Sequence, residues 1–331
     1  GKITAQGQTV SKVLVDGETI FRYSNKGFFF SESRYANSII DYAYSKTNKR
    51  RMLWTKQHDN RPPSYVSYGN GGIIEVGQGE LKKVSIILKD EKANQSEYSF
   101  YLRGDLQNPN IGLLNKLNTA GERKNSYHLS WNKANKVSFP DSSSISTEAG
   151  SLYEDLEMKY ESTDGRFSKI HCLHDNTVPI HKAFKLRIRY NEKLIPFKDK
   201  AIVVSLDEKG RQYNEGGKIE GRNMVCSIKN FGRYTIAIDT VAPKCKPQNF
   251  VSGKAFKAKE KKIIVKISDN LAGITSYNAY LNGQWILAEY DGKSGRLIMD
   301  AKKLKQGTNK LTIKLSDSKS NSASFDYTIT K

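Results

Sequence analysis

Residues 171–175 form the cluster in this sequence that most resembles a metal site. The run His171-Cys172-Leu173-His174-Asp175 places two imidazoles, a thiol and a carboxylate within five positions, with His-x-x-x-Asp spacing. These side-chain types all bind zinc, and a catalytic zinc ion needs three protein ligands and an open position. One hypothesis is therefore a metalloenzyme at His171, His174 and Asp175, and it requires a further ligand from elsewhere in the chain.

The rest of the sequence does not supply that ligand. Only five histidines are present, and the other three have no partnering motif: His58, His128 and His181. A short polar run before Pro179 is also typical of a turn. The sequence contains no nucleophile elbow, phosphate-binding glycine loop or dinucleotide fingerprint. We therefore predict no catalytic residues, no cofactor, no stoichiometric zinc and no hydrolase activity for this chain.

A second candidate site lies in the aromatic-rich segment 24–72, which we call the insert. Long irregular segments in compact domains tend to be functional or disordered, and this aromatic content argues against disorder. We expect Tyr65 and Tyr68 to be the exposed rings of the insert. If they share a groove with Arg51 or Arg61, stacked rings and guanidinium groups there would bind an anionic glycan. Four other aromatic residues are predicted to form a small core of the insert: Phe28, Phe30, Tyr42 and Trp54. The alternative is that all these aromatics pack the insert onto its domain.

The elements that position these residues are predicted to be antiparallel strands. The segments KVSIILKDEKANQSEYSFYLR at 83–103 and KLTIKLSDSKSNSASFDYTIT at 310–330 both alternate apolar and polar residues around an Asp-x-Lys-x-Asn turn. Two further segments match in the same order, VLVDGETI at 13–20 and AYLNGQWI at 279–286. Asp-Gly and Asn-Gly between apolar runs are strong hairpin signals. The chain is therefore predicted to contain two copies of one antiparallel module.

These patterns predict an all-β protein of tandem immunoglobulin-like β-sandwiches, with the first and third domains duplicated. The predicted domains are 1–103, 104–240 and 241–331, and the insert lies in the first. That first domain is expected to lack its opening strands, so further polypeptide upstream or another segment would complete it. Three cysteines, an odd number, allow at most one disulfide among Cys172, Cys226 and Cys245.

The net charge of +20 is better explained by a lysine-rich solvated surface that also protects sheet edges than by its functional alternative, attraction to a polyanionic partner such as an anionic cell-wall glycan. Binding to nucleic acid rests on charge alone and ranks last among the hypotheses. No run approaches the roughly 20 apolar residues that span a bilayer, so no membrane span is predicted.

Several motifs carry a resemblance to known families. The hairpins, together with Asp269-Asn270-x-x-Gly273-Ile274 and Asp239-Thr240-x-x-Pro243, resemble immunoglobulin-like modules of bacterial surface proteins. Stretches spread over most of the chain also resemble the non-catalytic C-terminal region of Gram-negative lysostaphin-type zinc peptidoglycan endopeptidases: 16–22, 34–42, 96–104, 181–188, 231–243 and 285–290.

The resemblance implies an exported protein of the cell envelope, in the periplasm or on the outer surface, with a catalytic domain upstream. The catalytic signature of that family is His-x-x-x-Asp followed by His-x-His. Residues 171–175 match the first spacing only, and this sequence contains no His-x-His. The zinc ligands of the family therefore cannot be assigned here. The implied role is to position or regulate the peptidase domain, and the alternative is a glycan- or surface-binding module that uses the insert.

Overall fold

The computed structural model describes residues 8–24, 30–50, 52–60, 65–105, 126–257 and 260–331. Its strands form five antiparallel sheets without a closed barrel, which confirms the predicted all-β sandwich class. The chain contacts divide into two compact units. Unit 1 comprises 1–162, 171–186 and 227–232, and unit 2 comprises 163–170, 187–226 and 233–331. The domain boundaries expected near Gly104 and Thr240 stay predictions.

The amino-terminal sheet lies entirely in unit 1 and has the strand order β3-β2-β1-β4-β5. Its strands are β1 (Gln8–Val15), β2 (Glu18–Ser24), β3 (Val66–Tyr68), β4 (Leu81–Asp90) and β5 (Gln95–Arg103). Between β2 and β3 the insert forms a 3-10 helix, Phe30–Ser38, and a short α-helix, α1 (Tyr42–Asn48); a second 3-10 turn, Asn70–Gly72, follows β3. The apolar cluster on this sheet combines sheet residues with insert residues: Ile20, Phe21, Ile39 and Val66.

Six strands follow in chain order after residue 125. They are β6 (Ser126–Leu129), β7 (Asn135–Ser138), β8 (Ser144–Thr147), β9 (Leu156–Thr163), β10 (Ile170–Leu173) and β11 (Pro179–Arg189). In unit 1, β6 pairs with β9 and β7 pairs with β8, both antiparallel. Alternate residues of these strands are fully buried, as in β9, where Met158 and Tyr160 point inward and their neighbours outward.

After β11 the chain forms a 3-10 segment, Glu192–Lys200, and five strands. These are β12 (Ala201–Leu206), β13 (Gln212–Gly216), β14 (Lys218–Glu220), β15 (Asn223–Asn230) and β16 (Gly232–Ile238). Strand β12 lies between β13 and β16, and β14 pairs with β15. No disulfide joins Cys172, Cys226 and Cys245.

The carboxyl-terminal part of unit 2 contains two four-stranded sheets, β17-β18-β22-β21 and β20-β19-β23-β24. The strands are β17 (Lys244–Pro247), β18 (Lys262–Ser268), β19 (Ile274–Leu281), β20 (Gln284–Ile286), β21 (Ala288–Asp291), β22 (Arg296–Asp300), β23 (Thr308–Asp317) and β24 (Ser322–Thr330), with a 3-10 turn at Ala301–Lys303. Aliphatic side chains from both sheets share one core that includes Ile263, Val265, Leu297, Leu311 and Ile313.

The predicted duplication is visible in the strand order. Strands β2-β1-β4-β5 of the amino-terminal sheet have the same arrangement as β20-β19-β23-β24. Asp16 and Asn282 occupy equivalent turns with positive φ, and the side-chain Oδ1 of each accepts a 2.8 Å hydrogen bond from the backbone N–H of Lys83 or Lys310 respectively. These side-chain bonds lock each Asx-Gly turn onto the neighbouring strand.

The second pair of equivalent turns also agrees in detail. Oδ1 of Asp90 accepts hydrogen bonds from the backbone N–H groups of Lys92 and Asn94, and its Oδ2 accepts one from the Asn94 amide. Asp317 makes the same three bonds with residues 319 and 321. The Asp-x-Lys-x-Asn motif is thus a specific turn structure, in which a carboxylate satisfies the amide groups of a tight connection.

Candidate functional site

A cleft of about 230 Å³ in unit 1 is bordered by the insert and by two segments of the chain after residue 125. We call it the aromatic cleft because three rings line it, those of Tyr42, Trp54 and Tyr153. Polar side chains stand among these rings: Asn37, Asp41, His58, Glu154 and Thr177. Rings with hydrogen-bonding groups around them are typical of sites that bind amphipathic ligands.

The insert positions Trp54 through a short antiparallel bridge. Backbone N–H of Trp54 donates to the carbonyl of Ile39 at 2.8 Å, and N–H of Asp41 donates to the carbonyl of Met52 at 2.9 Å. Asp41 then caps α1, because its Oδ1 accepts a 2.8 Å bond from N–H of Tyr44. The main chain at Trp54 is fixed by this bridge, and the residue, which is 45% exposed, lines the cleft.

The opposite wall is held to the insert by Asn60, which is only 6% exposed. Its Nδ2 donates to the carbonyls of Leu152 at 2.7 Å and Gly150 at 3.2 Å. Its backbone N–H donates to the carbonyl of Tyr153 at 2.9 Å. The side-chain amide and the backbone N–H of Asn60 thus hold three carbonyl groups of residues 150–153, and the cleft is preformed.

Tyr153 belongs to a second polar connection. Its hydroxyl donates to the carbonyl of Arg34 at 2.5 Å, and Nη1 of Arg34 donates to the carbonyl of His181 at 2.9 Å. The His181 ring packs on Tyr35 with 4.2 Å between centroids. Burial raises the pKa of Tyr153 and lowers the pKa of His181, so both are neutral at pH 7. The network is structural and supports the cleft wall.

One end of the cleft carries the pair His58 and Glu154. Nδ1 of His58 lies 3.4 Å from Oε2 of Glu154. The imidazole of His58 beside Glu154 lowers the pKa of that carboxyl group, and the charge of Lys56 contributes less. Glu154 is therefore ionised at neutral pH and has no proton to donate as a general acid. It can accept hydrogen bonds from ligand hydroxyl or amine groups.

The structure only partly agrees with the expectations for the insert. Tyr65 and Tyr68 are half-buried, because they flank β3 and pack on the sheet: Tyr65 against Tyr23 and Tyr68 against Phe21, each with 5.6 Å between centroids. Burial raises the pKa of Tyr68 to about 12. The expectation that these two rings are exposed is wrong.

The expected burial of Trp54 is also wrong, since the indole is exposed and lines the cleft. Tyr42 is half-buried on the same cleft. Arg51, Arg61, Phe28 and the Phe30 side chain lie outside the described residues, so the predicted binding group of Tyr65, Tyr68, Arg51 and Arg61 stays a prediction. The signal that could have indicated the cleft was the density of aromatic residues, which does not say which ring faces outward.

The candidate zinc ligands have separate hydrogen-bonding roles in unit 1. His171 is fully buried on β10, with Nδ1 2.9 Å from the hydroxyl of Tyr160 and Nε2 3.5 Å from Oδ2 of Asp141. Nδ1 of His174 accepts a 3.1 Å bond from the backbone N–H of Lys159. Oδ1 of Asp175 accepts a bond from the Thr177 N–H, which chiefly lowers the pKa of this carboxyl group.

These bonds direct the three side chains to different partners. Among the described residues, the group of three metal-ligand types that does converge is a different one, formed by Asp239, Asp269 and Asp317. The prediction that His171, His174 and Asp175 bind no stoichiometric zinc stays a prediction, to be checked by elemental analysis.

Comparison with known proteins adds one family match. Residues 126–239 match the Zu5-like domain family, and this segment is about a third of the chain. It contains β6 to β16 and ends at Asp239. No curated protein sequence matches the chain.

Solved structures give three remote similarities. One is to the SGBP-B protein of the mixed-linkage glucan utilization locus of Bacteroides ovatus in complex with a heptasaccharide (9% identity, TM-score 0.17, 99% of this chain and 61% of that chain). Another is to a structure of a 1.5-MDa bacterial ice-binding adhesin (9% identity, TM-score 0.20, 97% of this chain and 86% of that chain). The third is to a polysaccharide lyase (9% identity, TM-score 0.20, 98% of this chain and 39% of that chain). TM-scores this low support no conclusion about function.

No helix in the described part of the chain is long and apolar enough to cross a membrane.

Proposed function

We propose that this chain is a non-catalytic glycan-binding module of the cell envelope and that the aromatic cleft holds the sugar. The observation that carries the proposal is the exposed Trp54 ring on a preformed cleft with Tyr42 and Tyr153. An exposed indole offers its face to the C–H side of a pyranose ring, and polar groups at the rim bond to the hydroxyls.

The size and charge of the cleft narrow the ligand class. Its volume of about 230 Å³ is below the roughly 300–1,000 Å³ of pockets for drug-sized ligands, which favours one sugar unit or a chain end. Among the described residues, the lining includes the carboxylates of Asp41 and Glu154 and no lysine or arginine. A neutral or amine-bearing sugar therefore fits better than a uronic acid. The net charge of +20 would attract the anionic polymer in which such a sugar occurs.

The test compares two exposed tryptophans. Trp54 is 45% exposed and lines the cleft, and Trp285 is 60% exposed on β20 and is not among the cleft-lining residues. A stacked ring is worth roughly 1–3 kcal/mol, so Trp54→Ala should weaken binding to purified peptidoglycan or neutral glucan by about 5- to 150-fold. Calorimetric titration measures this, and the melting temperature should stay unchanged. The Trp285→Ala variant should bind like the wild type.

The proposal fails if the unsubstituted chain binds none of these polymers. It also fails if both tryptophan variants lose binding equally, because nonspecific contact would then explain the affinity. The predicted anionic site at Tyr65 and Tyr68 is separable: substitution there would weaken binding to teichoic or uronic polymers and leave neutral glucan unaffected.

We further propose, from the resemblance of the motifs, that the module positions a peptidoglycan endopeptidase domain. Glycan binding near a catalytic domain raises the local substrate concentration, which gives such a module a physical role. The reading frame upstream of Gly1 tests this: His-x-x-x-Asp followed by His-x-His would support the proposal. A reading frame that starts at this module would refute it.

A further inference from the structure

Three aspartates converge within unit 2, at the ends of three strands. Asp239 follows β16, Asp269 follows β18, and Asp317 ends β23. One carboxylate oxygen from each lies within 4.8 Å of one from each of the others. Asp239 and Asp317 are only 1% and 3% exposed, so water screens little of their mutual repulsion.

Backbone groups orient the three carboxylates but do not neutralise them. Asp239 accepts bonds from the N–H groups of Val241 at 2.9 Å and Ala272 at 2.7 Å. Asp317 accepts from residues 319 and 321, as described above. None of the three aspartates forms an ion pair with a described residue. Two lysines lie close to this arrangement: Lys319, whose charge interacts with that of Asp317, and Lys200, whose Nζ is bonded to Oδ1 of Asn321 at 2.6 Å and to the carbonyl of Lys319.

Asp269 provides an independent sign that a ligand belongs here. Its Oδ2 accepts bonds from N–H of Leu271 at 3.1 Å and Gly273 at 2.8 Å. Its Oδ1 is buried from solvent and has no hydrogen-bond partner in the described structure. A buried carboxylate oxygen without a partner is destabilising, and a cation bound to it would remove that penalty.

We propose that Asp239, Asp269 and Asp317 bind a hard divalent cation, and that Ca²⁺ fits best. The converging ligand atoms are all oxygens, which excludes a preference for zinc or copper. Oxygens on opposite sides of a Ca²⁺ ion lie about 5 Å apart, against roughly 4 Å for Mg²⁺, because the metal–oxygen distances differ. Oxygens up to 4.8 Å apart can therefore share one Ca²⁺ without rearrangement.

The bound ion would link β16 to the loops of the carboxyl-terminal sandwich. The same loops already contact β16: Asn321 Nδ2 donates to the carbonyl of Asp239 at 3.0 Å, and Ala272 packs with Ala237, Ile202 and Val204. A cation here adds bonds to that connection and neutralises the charge in its centre. Ca²⁺ would therefore stabilise unit 2 and stiffen the segment after β16.

The test is thermal unfolding of the full chain after dialysis against EDTA, with CaCl₂, MgCl₂ or NaCl of equal ionic strength added back. Calcium at 100 times its dissociation constant should raise the melting temperature of unit 2 by roughly 5–10 °C. Magnesium should act at higher concentration, and NaCl should give no such shift. Calorimetric titration should give one Ca²⁺ per chain.

Two variants distinguish calcium binding at the three aspartates from a general effect of calcium on protein charge. Asp269→Asn should abolish the calcium shift and should melt in EDTA at the wild-type temperature or above, because one repelling charge is removed. Asp90→Asn changes the equivalent turn of the amino-terminal sheet, which is exposed and outside the cluster, and should keep the full shift. Absence of calcium binding by the wild type, or equal shifts in both variants, would overturn the proposal.

Discussion

The two Asp-x-Lys-x-Asn turns allow a matched test of how burial changes the contribution of equivalent hydrogen bonds to the free energy of unfolding. Asn94 is exposed, and its amide donates to Oδ2 of Asp90 at 2.8 Å. Asn321 is 8% exposed, and its Nδ2 donates to Oδ2 of Asp317 at 2.7 Å and to the carbonyl of Asp239 at 3.0 Å. Its Oδ1 also accepts from Lys200. We expect Asn321→Ala to be far more destabilising than Asn94→Ala.

The magnitude follows from the groups that lose a partner. Asn321→Ala leaves two buried acceptors without this donor, Oδ2 of Asp317 and the carbonyl of Asp239, and removes the charge-assisted bond from Lys200. Each buried group that loses its partner costs about 1–3 kcal/mol. With partial rescue by water, the free energy of unfolding should fall by roughly 3–5 kcal/mol, or about 8–15 °C in the melting temperature of unit 2. Asn94→Ala loses one exposed bond and should cost about 0.5–1 kcal/mol.

Differential scanning calorimetry in EDTA measures both variants without any contribution from bound cations. A destabilisation of equal size in the two variants would refute the reasoning, because it would mean that burial of Asn321 contributes nothing. A change of the circular dichroism spectrum of native Asn321→Ala would indicate refolding of the loop, and the comparison would then be repeated with Asn321→Ser.

Two further predictions concern unit 1 and the cysteines. Gly72→Ala should strongly destabilise the insert, because a Cβ there would lie 1.6 Å from the carbonyl oxygen of Thr55. Gly71 also has a positive φ, but a Cβ at Gly71 would meet no atom within 4 Å, so Gly71→Ala is the control. Limited proteolysis of the insert and thermal unfolding should separate the two variants, and equal behaviour would contradict the close approach. At pH 8 a thiol reagent should label the half-exposed Cys172 first. Burial raises the pKa of the Cys226 thiol to about 12 and also raises the pKa of the Cys245 thiol, so both stay protonated and unreactive. All three should react in guanidinium, and rapid native labelling of all three would contradict the buried positions.

The sequence predicted the strands and the duplicated hairpins because their signals are local. Alternating side chains and Asx-Gly turns depend on neighbouring residues, and positive φ at Asp16 and Asn282 confirms the turn geometry. The exposure of Trp54 was not predictable in this way, because it depends on a bridge between residues 40 and 53 and on the wall that Asn60 anchors.

The aspartate cluster was missed for a related reason. Asp239, Asp269 and Asp317 are separated by tens of residues, and each occurs in a motif that is already explained by turn formation. Only the packing of three strand ends brings them together. Local chemistry predicts each turn, and the fold alone determines that the three turns meet.

The duplicated hairpins also bear on how the chain avoids misassembly during folding. Tandem copies with similar strands can exchange them, which is a common failure of repeat proteins. Here the copies share turn residues but differ elsewhere: Ile87 occupies the position of the exposed Lys314, and β2 has seven residues where β20 has three. A hairpin paired with the wrong sheet would leave unmatched strand lengths and place an isoleucine in water. The differences between the strands that flank the equivalent turns therefore favour pairing of each hairpin with the strands of its own copy.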